Sequence, residues 1–179
     1  MKKHPLSRFR FCPVCGSELF TPNSEKSNRC AGCGFEFFLN PSGAYVAIIV
    51  DEQGRLLVAR RDREPACGTL DLPGGFADIG ETAEEGVARE VLEETGLHVT
   101  SARYLFSLPN QYLYSGMHIP TLDLFFCCKV ANDNHLRAGD DAADCFWLPL
   151  TMIDPQLFGL HSISQGVKRF IEMQPIPMP

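Results

Sequence analysis

The chain has 179 residues, of which 45% are hydrophobic and 21% are charged, and its formal net charge is −6 at pH 7. This length suits one domain with a small additional segment, and the composition is that of a folded globular protein. The acidic balance disfavours a general nucleic-acid binder. The basic N-terminal residues lack the apolar stretch of a secretory signal, and there is no run of about 18 apolar residues to predict a membrane span, so we expect a cytoplasmic protein.

Half of the eight cysteines form two C-x-x-C pairs near the N-terminus, each followed by a glycine, and 14 residues lie between the two pairs. This spacing is typical of a zinc ribbon, so we predict a structural Zn²⁺ with four thiolate ligands, Cys12, Cys15, Cys30 and Cys33. A segment of about 40 residues buries little core, so the metal would supply most of its folding free energy. A redox dithiol is the alternative, which is disfavoured because neither pair ends a βαβ unit. The other cysteines lack ligand spacing and are interpreted as free thiols: Cys67, Cys127, Cys128 and Cys145.

An aromatic run, Phe35–Phe38, follows the last ribbon cysteine and precedes an Asn-Pro-Ser-Gly turn sequence at 40–43. We interpret this turn as a boundary, with the zinc ribbon in residues 1–40 and a second domain in residues 41–179. The aromatic side chains are expected to pack the ribbon against that domain. An adenine pocket is the alternative interpretation.

Two strands are predicted next, over Ala44–Val50 and Arg55–Arg60, with a polar turn between them. Arg60 and Arg61 end the second strand. Contact with a substrate phosphate and simple surface charge are equally compatible with these two arginines.

A helix is predicted from Thr82 to Thr95, because Thr82 and Glu85 have capping-box spacing and Gly96 supplies a C-terminal stop. Apolar residues at helical spacing predict its buried stripe: Ala83, Val87, Ala88, Val91 and Leu92.

Three carboxylates are gathered on one face of this predicted helix. Glu90, Glu93 and Glu94 occupy relative positions 0, 3 and 4, which are neighbours on a helix surface. Clustered carboxylates repel one another unless a cation lies among them, and oxygen ligands suit hard cations such as Mg²⁺ or Mn²⁺. A solvated acidic helix face is the alternative. Gly74 and Gly75, just before the helix, permit a loop that presents a backbone carbonyl to a metal.

The segment from Gly75 to Leu97 fits the Nudix box, Gly-x5-Glu-x7-Arg-Glu-U-x-Glu-Glu-x-Gly-U, in which U is an aliphatic residue. All nine specified positions match over 23 residues: Gly75, Glu81, Arg89, Glu90, Val91, Glu93, Glu94, Gly96 and Leu97. The chain therefore resembles the Nudix hydrolases. This resemblance implies an α/β (α+β) fold, in which a mixed sheet forms an α/β/α sandwich after the ribbon.

The resemblance also implies a metal site. A backbone carbonyl of the glycine pair, Gly74 or Gly75, would join Glu90, Glu93 and Glu94 in binding Mg²⁺ or Mn²⁺. The metal would neutralise the negative charge of a pyrophosphate and lower the pKa of the attacking water.

Further catalytic residues are expected around the box. Arg89 is expected to pair with Glu81 and hold the acidic cluster in place. In Nudix enzymes an additional acid, found before a Trp-x-Pro-Leu-like segment, often completes the metal site or acts as the base. Asp141 and Asp144 are the candidates for this role here.

Substrate choice is expected to depend on an aromatic loop at 107–118, in which Tyr112 and Tyr114 would stack on a base or nicotinamide ring. A hydrophobic loop that covers the core is the alternative. A zinc ribbon before a Nudix domain resembles the NADH pyrophosphatase branch, which carries Ser-Gln-Pro-Trp-Pro-Phe-Pro-x-Ser after the box. The matching stretch here, SLPNQYLYS, keeps Ser107, Pro109 and Ser115 and replaces the Phe by Tyr112. ADP-ribose, NAD(H) and FAD are therefore the candidate substrates.

We predict metal-dependent hydrolysis of the pyrophosphate bond in a nucleoside diphosphate derivative, with release of AMP. A non-catalytic sensor of ADP-ribose-like ligands is one alternative, although such sensors tend to lose box acids. An RNA cap pyrophosphatase that uses the ribbon for recruitment is another. The expected partner is a small-molecule nucleotide rather than a nucleic acid or a membrane, and the resemblance suggests a homodimer.

Overall fold

The computed structural model describes residues 4–131, 136 and 142–173. Three short strands lie in the N-terminal segment: β1 (Phe20–Ser24), β2 (Ser27–Cys30) and β3 (Glu36–Phe38). They form an antiparallel sheet of their own in the order β1-β2-β3. This segment contributes no strand to the other two sheets of the described chain.

The aromatic run after the last ribbon cysteine packs inside this segment. Phe35 stacks on Phe20 with ring centroids 6.5 Å apart, and Phe37 stacks on Phe9 at 6.0 Å. Both Phe35 and Phe37 contact the small core that contains two of the cysteines. Both side chains thus belong to the core of the ribbon, and their expected packing against the next domain stays a prediction.

Seven strands follow: β4 (Ser42–Ile49), β5 (Arg55–Arg61), β6 (Leu70–Asp71), β7 (Gly74–Phe76), β8 (Val99–Tyr114), β9 (Met117–Val130) and β10 (Ala142–Pro149). Four of them form a mixed sheet in the order β7-β4-β9-β8, in which β4 and β9 are parallel. The other three form an antiparallel sheet in the order β10-β5-β6. The two strands predicted over 44–50 and 55–60 are thereby confirmed.

Two helices, α1 (Ala83–Thr95) and α2 (His161–Glu172), cover opposite faces of the mixed sheet. Successive residues of a strand point to opposite faces. In β4, Val46 packs in one core cluster with residues of α2, and Tyr45 packs in a second cluster with residues of α1. The predicted α/β/α sandwich is confirmed. No helix in the described part of the chain is long and apolar enough to cross a membrane.

The ends of α1 follow from local sequence. The Glu85 N–H donates to the Thr82 hydroxyl at 3.3 Å, and the Thr82 N–H donates to the Glu85 carboxylate at 2.8 Å, which completes a capping box. Gly96 has a left-handed φ of 72° and donates its N–H to the Leu92 carbonyl. Both helix ends therefore lie where the sequence predicts them. Leu92 itself is 41% exposed, so its assignment to the buried stripe is wrong.

The segment predicted as an aromatic loop at 107–118 is a β-hairpin. β8 runs to Tyr114 and β9 begins at Met117, so that Ser115 and Gly116 form the turn, both with positive φ. Pro109 interrupts the sequence pattern but lies in β8, an edge strand, which is where a sheet tolerates a proline and its missing N–H. The hairpin gives Tyr112 a fixed position on the sheet.

Candidate active site and zinc site

The four ribbon cysteines bring their sulfur atoms together. All four Sγ atoms lie within 4.8 Å of one another, with Cys12 to Cys33 at 3.7 Å and Cys15 to Cys30 at 3.6 Å. A tetrahedral Zn²⁺ with bonds of about 2.3 Å requires ligand separations of about 3.8 Å. The cluster is therefore compatible with zinc.

The crowding of these thiols has an electrostatic consequence. The Ser17 N–H lowers the pKa of the Cys15 thiol, but the thiols of Cys33 and Cys30 outweigh it and raise that pKa to about 12. Backbone N–H groups of Cys33 and Gly32 instead lower the pKa of Cys30 to about 6. Four thiolates at this spacing repel one another, so a cation among them would stabilise the deprotonated cluster.

The loop before α1 brings two glycines against the glutamates of that helix. The Gly74 N–H donates to Glu94 Oε2 at 2.9 Å. A Cβ atom at Gly75 would lie 2.5 Å from the Glu90 carboxylate, and one at Gly74 would lie 2.0 Å from the Tyr45 carbonyl oxygen. Neither position has room for a side chain, so the backbone lies directly against the carboxylates.

Arg89 connects the acidic residues. Its Nε and Nη2 atoms donate to the two carboxylate oxygens of Glu81 at 3.0 and 2.9 Å, and Nη1 donates to Glu90 at 2.8 Å and to Glu93 at 3.1 Å. A bidentate guanidinium–carboxylate pair fixes orientation as well as charge. The hydrogen bonds from Arg89 lower the pKa of Glu81. The Arg89–Glu81 pair that the sequence predicts is present.

The three predicted metal ligands differ in environment. Burial raises the pKa of Glu90 against the opposing effect of Arg89, whereas the Glu93 side chain is 59% exposed. Among the described residues, only the four cysteines bring three or more ligand atoms within 4.8 Å of one another, so the glutamates are less tightly gathered. Their donor set consists of oxygen alone, which fits Mg²⁺ or Mn²⁺.

A cavity of about 500 Å³ opens beside the glutamates. Its lining includes all three predicted ligands and both glycines, together with the four predicted substrate contacts: Arg60, Arg61, Tyr112 and Tyr114. A cavity of this size is in the range that holds a small-molecule ligand. The fold thus brings the predicted metal-binding and substrate-binding residues to one place.

The two arginines predicted to contact substrate are already engaged by protein groups. Arg61 forms an ion pair with Asp71 and donates from Nε to the Pro65 carbonyl at 2.8 Å. Its Nη2 atom also lies 3.5 Å from the Tyr112 hydroxyl, to which it donates. Arg60 donates to the Gly68 carbonyl at 2.9 Å. Arg61 therefore positions the cavity wall, and Arg60 is the more exposed of the two.

The hairpin tyrosines contribute differently. The Tyr112 ring meets the Phe76 ring edge to face, with centroids 5.7 Å apart, so these two aromatics form one apolar surface in the cavity. Tyr114 is 63% exposed at the end of β8. Tyr112 is thus the better-ordered candidate for stacking on a planar group.

Sequence reasoning missed six polar residues of the cavity lining: Arg63, Glu64, Asp71, Asn110, Thr121 and Asp123. Asp71 lies between Leu70 and Leu72, and Asp123 lies between Leu122 and Leu124. A single acid within an apolar run is the signal that could have identified both. Burial raises the pKa of Asp71 although Arg61 opposes the shift.

The two predicted acids near the C-terminal end of the domain have different outcomes. Asp141 lies outside the described residues. Asp144 is exposed in β10 and is not part of the cavity lining among the described residues. The neighbouring Cys145 donates from Sγ to the Glu94 carbonyl at 3.7 Å, so this part of β10 runs beside the end of α1.

Comparison with known proteins shows the class of protein. The model of the NUDIX domain matches residues 40–169, which is most of the chain. The chain therefore belongs to the Nudix family, as the Nudix box predicts.

Curated relatives include proteins named NAD-capped RNA hydrolase NudC. The chain is 35% identical to the one from Vibrio parahaemolyticus over 106 residues, which cover 59% of this chain and 40% of that protein. It is 34% identical to the one from Yersinia pestis over 109 residues, which cover 60% of this chain and 41% of that protein. The matched region thus spans about two fifths of the length of these relatives.

Solved structures share the fold. A NUDIX hydrolase from Nitrosomonas europaea aligns with a TM-score of 0.74 at 23% identity and covers 95% of this chain and 94% of that one. The NUDIX domain of Shewanella oneidensis NrtR, complexed with ADP ribose, aligns with a TM-score of 0.59 at 21% identity and covers 75% of this chain and 89% of that one. At these identities the likeness concerns the fold alone.

Proposed function

We propose that this protein hydrolyses the pyrophosphate bond of a nucleoside diphosphate derivative, in a reaction that depends on Mg²⁺ or Mn²⁺ and releases AMP. The observation that carries this proposal is the arrangement of the glycine backbone against Glu90 and Glu94 at the wall of a cavity of about 500 Å³. Carboxylates and a nucleotide-sized cavity are thus adjacent. The division into a ribbon at 1–40 and a hydrolase domain at 41–179 is part of the proposal.

In this proposal Glu90, Glu93, Glu94 and a carbonyl of Gly74 or Gly75 would hold the divalent cation. The cation would neutralise pyrophosphate charge and lower the pKa of the attacking water. The oxygen-only donor set supports this assignment. Zn²⁺ is assigned to the four cysteines, whose soft sulfur ligands suit it better than Mg²⁺.

The protein's own residues would orient the metal-binding carboxylates and deprotonate the attacking water. Arg89 holds Glu81, Glu90 and Glu93 in one network, so the carboxylates keep their orientation when substrate enters. The proton of the attacking water would pass to a carboxylate of this cluster or to an acid from the 141–144 region. Tyr112, with Phe76 beside it, would hold a planar ring of the substrate.

ADP-ribose, NAD(H) and FAD share the adenosine diphosphate group and are the proposed substrates. The likeness to NudC proteins favours NAD, and the NrtR domain shows that a related fold binds ADP ribose. NAD-capped RNA contains the same pyrophosphate bond as NAD, so it is a second candidate that the NudC likeness specifically favours. The presence of every acid of the box favours an enzyme over a non-catalytic sensor.

A substrate screen tests the proposal. Nucleoside diphosphate derivatives are incubated with the zinc-loaded protein and Mg²⁺ or Mn²⁺, and the products are identified by mass. We expect AMP from ADP-ribose, NAD(H) or FAD, and no AMP when the divalent cation is omitted. Binding of ADP-ribose without any turnover would support a sensor instead.

A further inference from the structure

A buried carboxylate lies in the wall of the candidate active-site cavity, in the central sheet. Asp123 of β9 is 4% exposed and belongs to the cavity lining. Its Oδ2 atom accepts hydrogen bonds from Asn110 at 3.0 Å and Ser162 at 2.5 Å, and its Oδ1 atom accepts one from Thr121 at 2.6 Å. An ionised carboxylate accepts about four hydrogen bonds. Among the described residues, Oδ1 thus retains an acceptor position.

Asn110 places a donor beside this acceptor. One of its two amide hydrogens binds Asp123, and its Oδ1 atom accepts the Gln111 N–H at 2.8 Å. The second amide hydrogen has no partner among the described side chains, and Asn110 also lines the cavity. The cavity wall therefore offers an acceptor and a donor side by side.

The surroundings of this pair suit a flat, apolar group. Phe76, Tyr112, Leu72, Leu160 and Ile163 line the same cavity. Phe76 and Asp123 flank Ala44 on the two neighbouring strands, so two strand spacings, about 10 Å, separate them. Gly75 precedes Phe76 and lies against Glu90, so the backbone beside Glu90 lies about 10 Å from that of Asp123, which is on the order of the length of a nucleoside.

We propose that Asp123 and Asn110 recognise the Watson–Crick edge of adenine, with Asp123 accepting from the 6-amino group and Asn110 donating to N1. This inference rests on the proposed function, because it assigns the base of the same substrate. Hypoxanthine, which has a 6-oxo group and an N1–H, presents the opposite pattern in the same shape. It would face Asp123 with an acceptor and Asn110 with a donor.

A structural role for Asp123 is the competing explanation. Ser162 lies in the first turn of α2, so the Asp123–Ser162 hydrogen bond also anchors that helix to the sheet. An anchor would affect all substrates equally, whereas a base-reading group would change the ratio between two bases. The ratio of kcat/KM between two substrates that differ only in the base therefore distinguishes the two roles.

The test compares NAD with nicotinamide hypoxanthine dinucleotide, which differs only in the base. For the wild-type protein we expect kcat/KM to favour NAD by roughly tenfold to hundredfold, the range for a hydrogen bond to a charged group. Equal values, or a preference for hypoxanthine, would overturn the inference and leave the proposed pyrophosphatase intact. If the protein cleaves neither of these compounds and does not cleave ADP-ribose, the proposed function itself is contradicted.

Asp123→Asn supplies the second arm, with Ser162→Ala as its matched control. The new amide can donate to the 6-oxo group, so we expect the NAD preference to fall by tenfold or more, while Ser162→Ala keeps the wild-type ratio. If both variants lose activity on the two compounds in parallel with no change in ratio, Asp123 is an anchor and the inference fails. The wild-type ratio needs no variant, so the test survives if Asp123→Asn fails to fold.

Discussion

The cluster of four cysteines and the cluster of three glutamates differ in how close their ligand atoms lie to one another. The four cysteine sulfurs lie within 4.8 Å of one another, as four ligands of one metal require. The glutamates of α1 are spread, with Arg89 bound to Glu90 and Glu93 and the Gly74 N–H bound to Glu94. This difference is the one expected if the cysteines form a closed structural metal site and the glutamates form an open catalytic one. A structural site is complete on folding, whereas a catalytic site keeps space for substrate.

The largest effect of a substitution is expected at the four cysteines. Cys30→Ser removes one of four zinc ligands, so we expect loss of bound zinc and unfolding of the N-terminal segment, whose core contains Cys30 itself. Zinc content by atomic absorption and limited proteolysis of the segment measure this. Cys67→Ser, at an exposed cysteine outside the cluster, is the control. Full zinc occupancy in Cys30→Ser would defeat the zinc-ribbon assignment.

The next largest effect is expected at the glutamate cluster. Glu94→Gln removes a proposed metal ligand, so we expect kcat to fall by at least about a hundredfold, with a small change in the melting temperature. Glu84→Gln makes the same charge change at an exposed position of the same helix and should leave turnover near the wild-type value. Unchanged turnover in Glu94→Gln would remove this residue from the site.

The smallest expected effect concerns substrate choice. Tyr112→Ala removes the ring that meets Phe76 in the cavity, so we expect KM for at least one of ADP-ribose, NADH and FAD to rise by roughly threefold to tenfold. Metal affinity should stay unchanged. Tyr104→Ala is the control, because this tyrosine lies on the same strand and packs on Phe126 instead. Equal changes in both variants would assign Tyr112 to stability rather than specificity.

The parts of the molecule that the sequence predicts are those that depend on local spacing. The capping box at Thr82 and the stop at Gly96 define α1 from a few residues each. The spacing of the two C-x-x-C motifs similarly gathers the four cysteines within one short segment. In each case particular residue types at a characteristic spacing make the contacts, so the pattern contains the geometry.

The parts that it does not predict depend on contacts between distant strands. Pro109 disfavours a long strand when the sequence alone is considered. An edge strand tolerates a proline, but the edge position of β8 depends on the order of the whole sheet. Asp123 meets Ser162 across 39 residues, and Arg61 is neutralised by Asp71 from another strand. No local spacing signals such pairs, so the cavity's polar wall emerges only with the fold.

We expect two metals in two roles, a structural Zn²⁺ and a catalytic Mg²⁺ or Mn²⁺, and removal of one metal at a time tests this directly. The zinc-loaded protein is dialysed free of Mg²⁺ and Mn²⁺, its zinc content is measured, and release of AMP from ADP-ribose or NAD is followed before and after Mg²⁺ is restored. We expect one zinc per chain throughout, no turnover without the divalent cation, and full recovery when it returns. Turnover that continues without Mg²⁺ or Mn²⁺ and disappears only with the zinc would contradict the account.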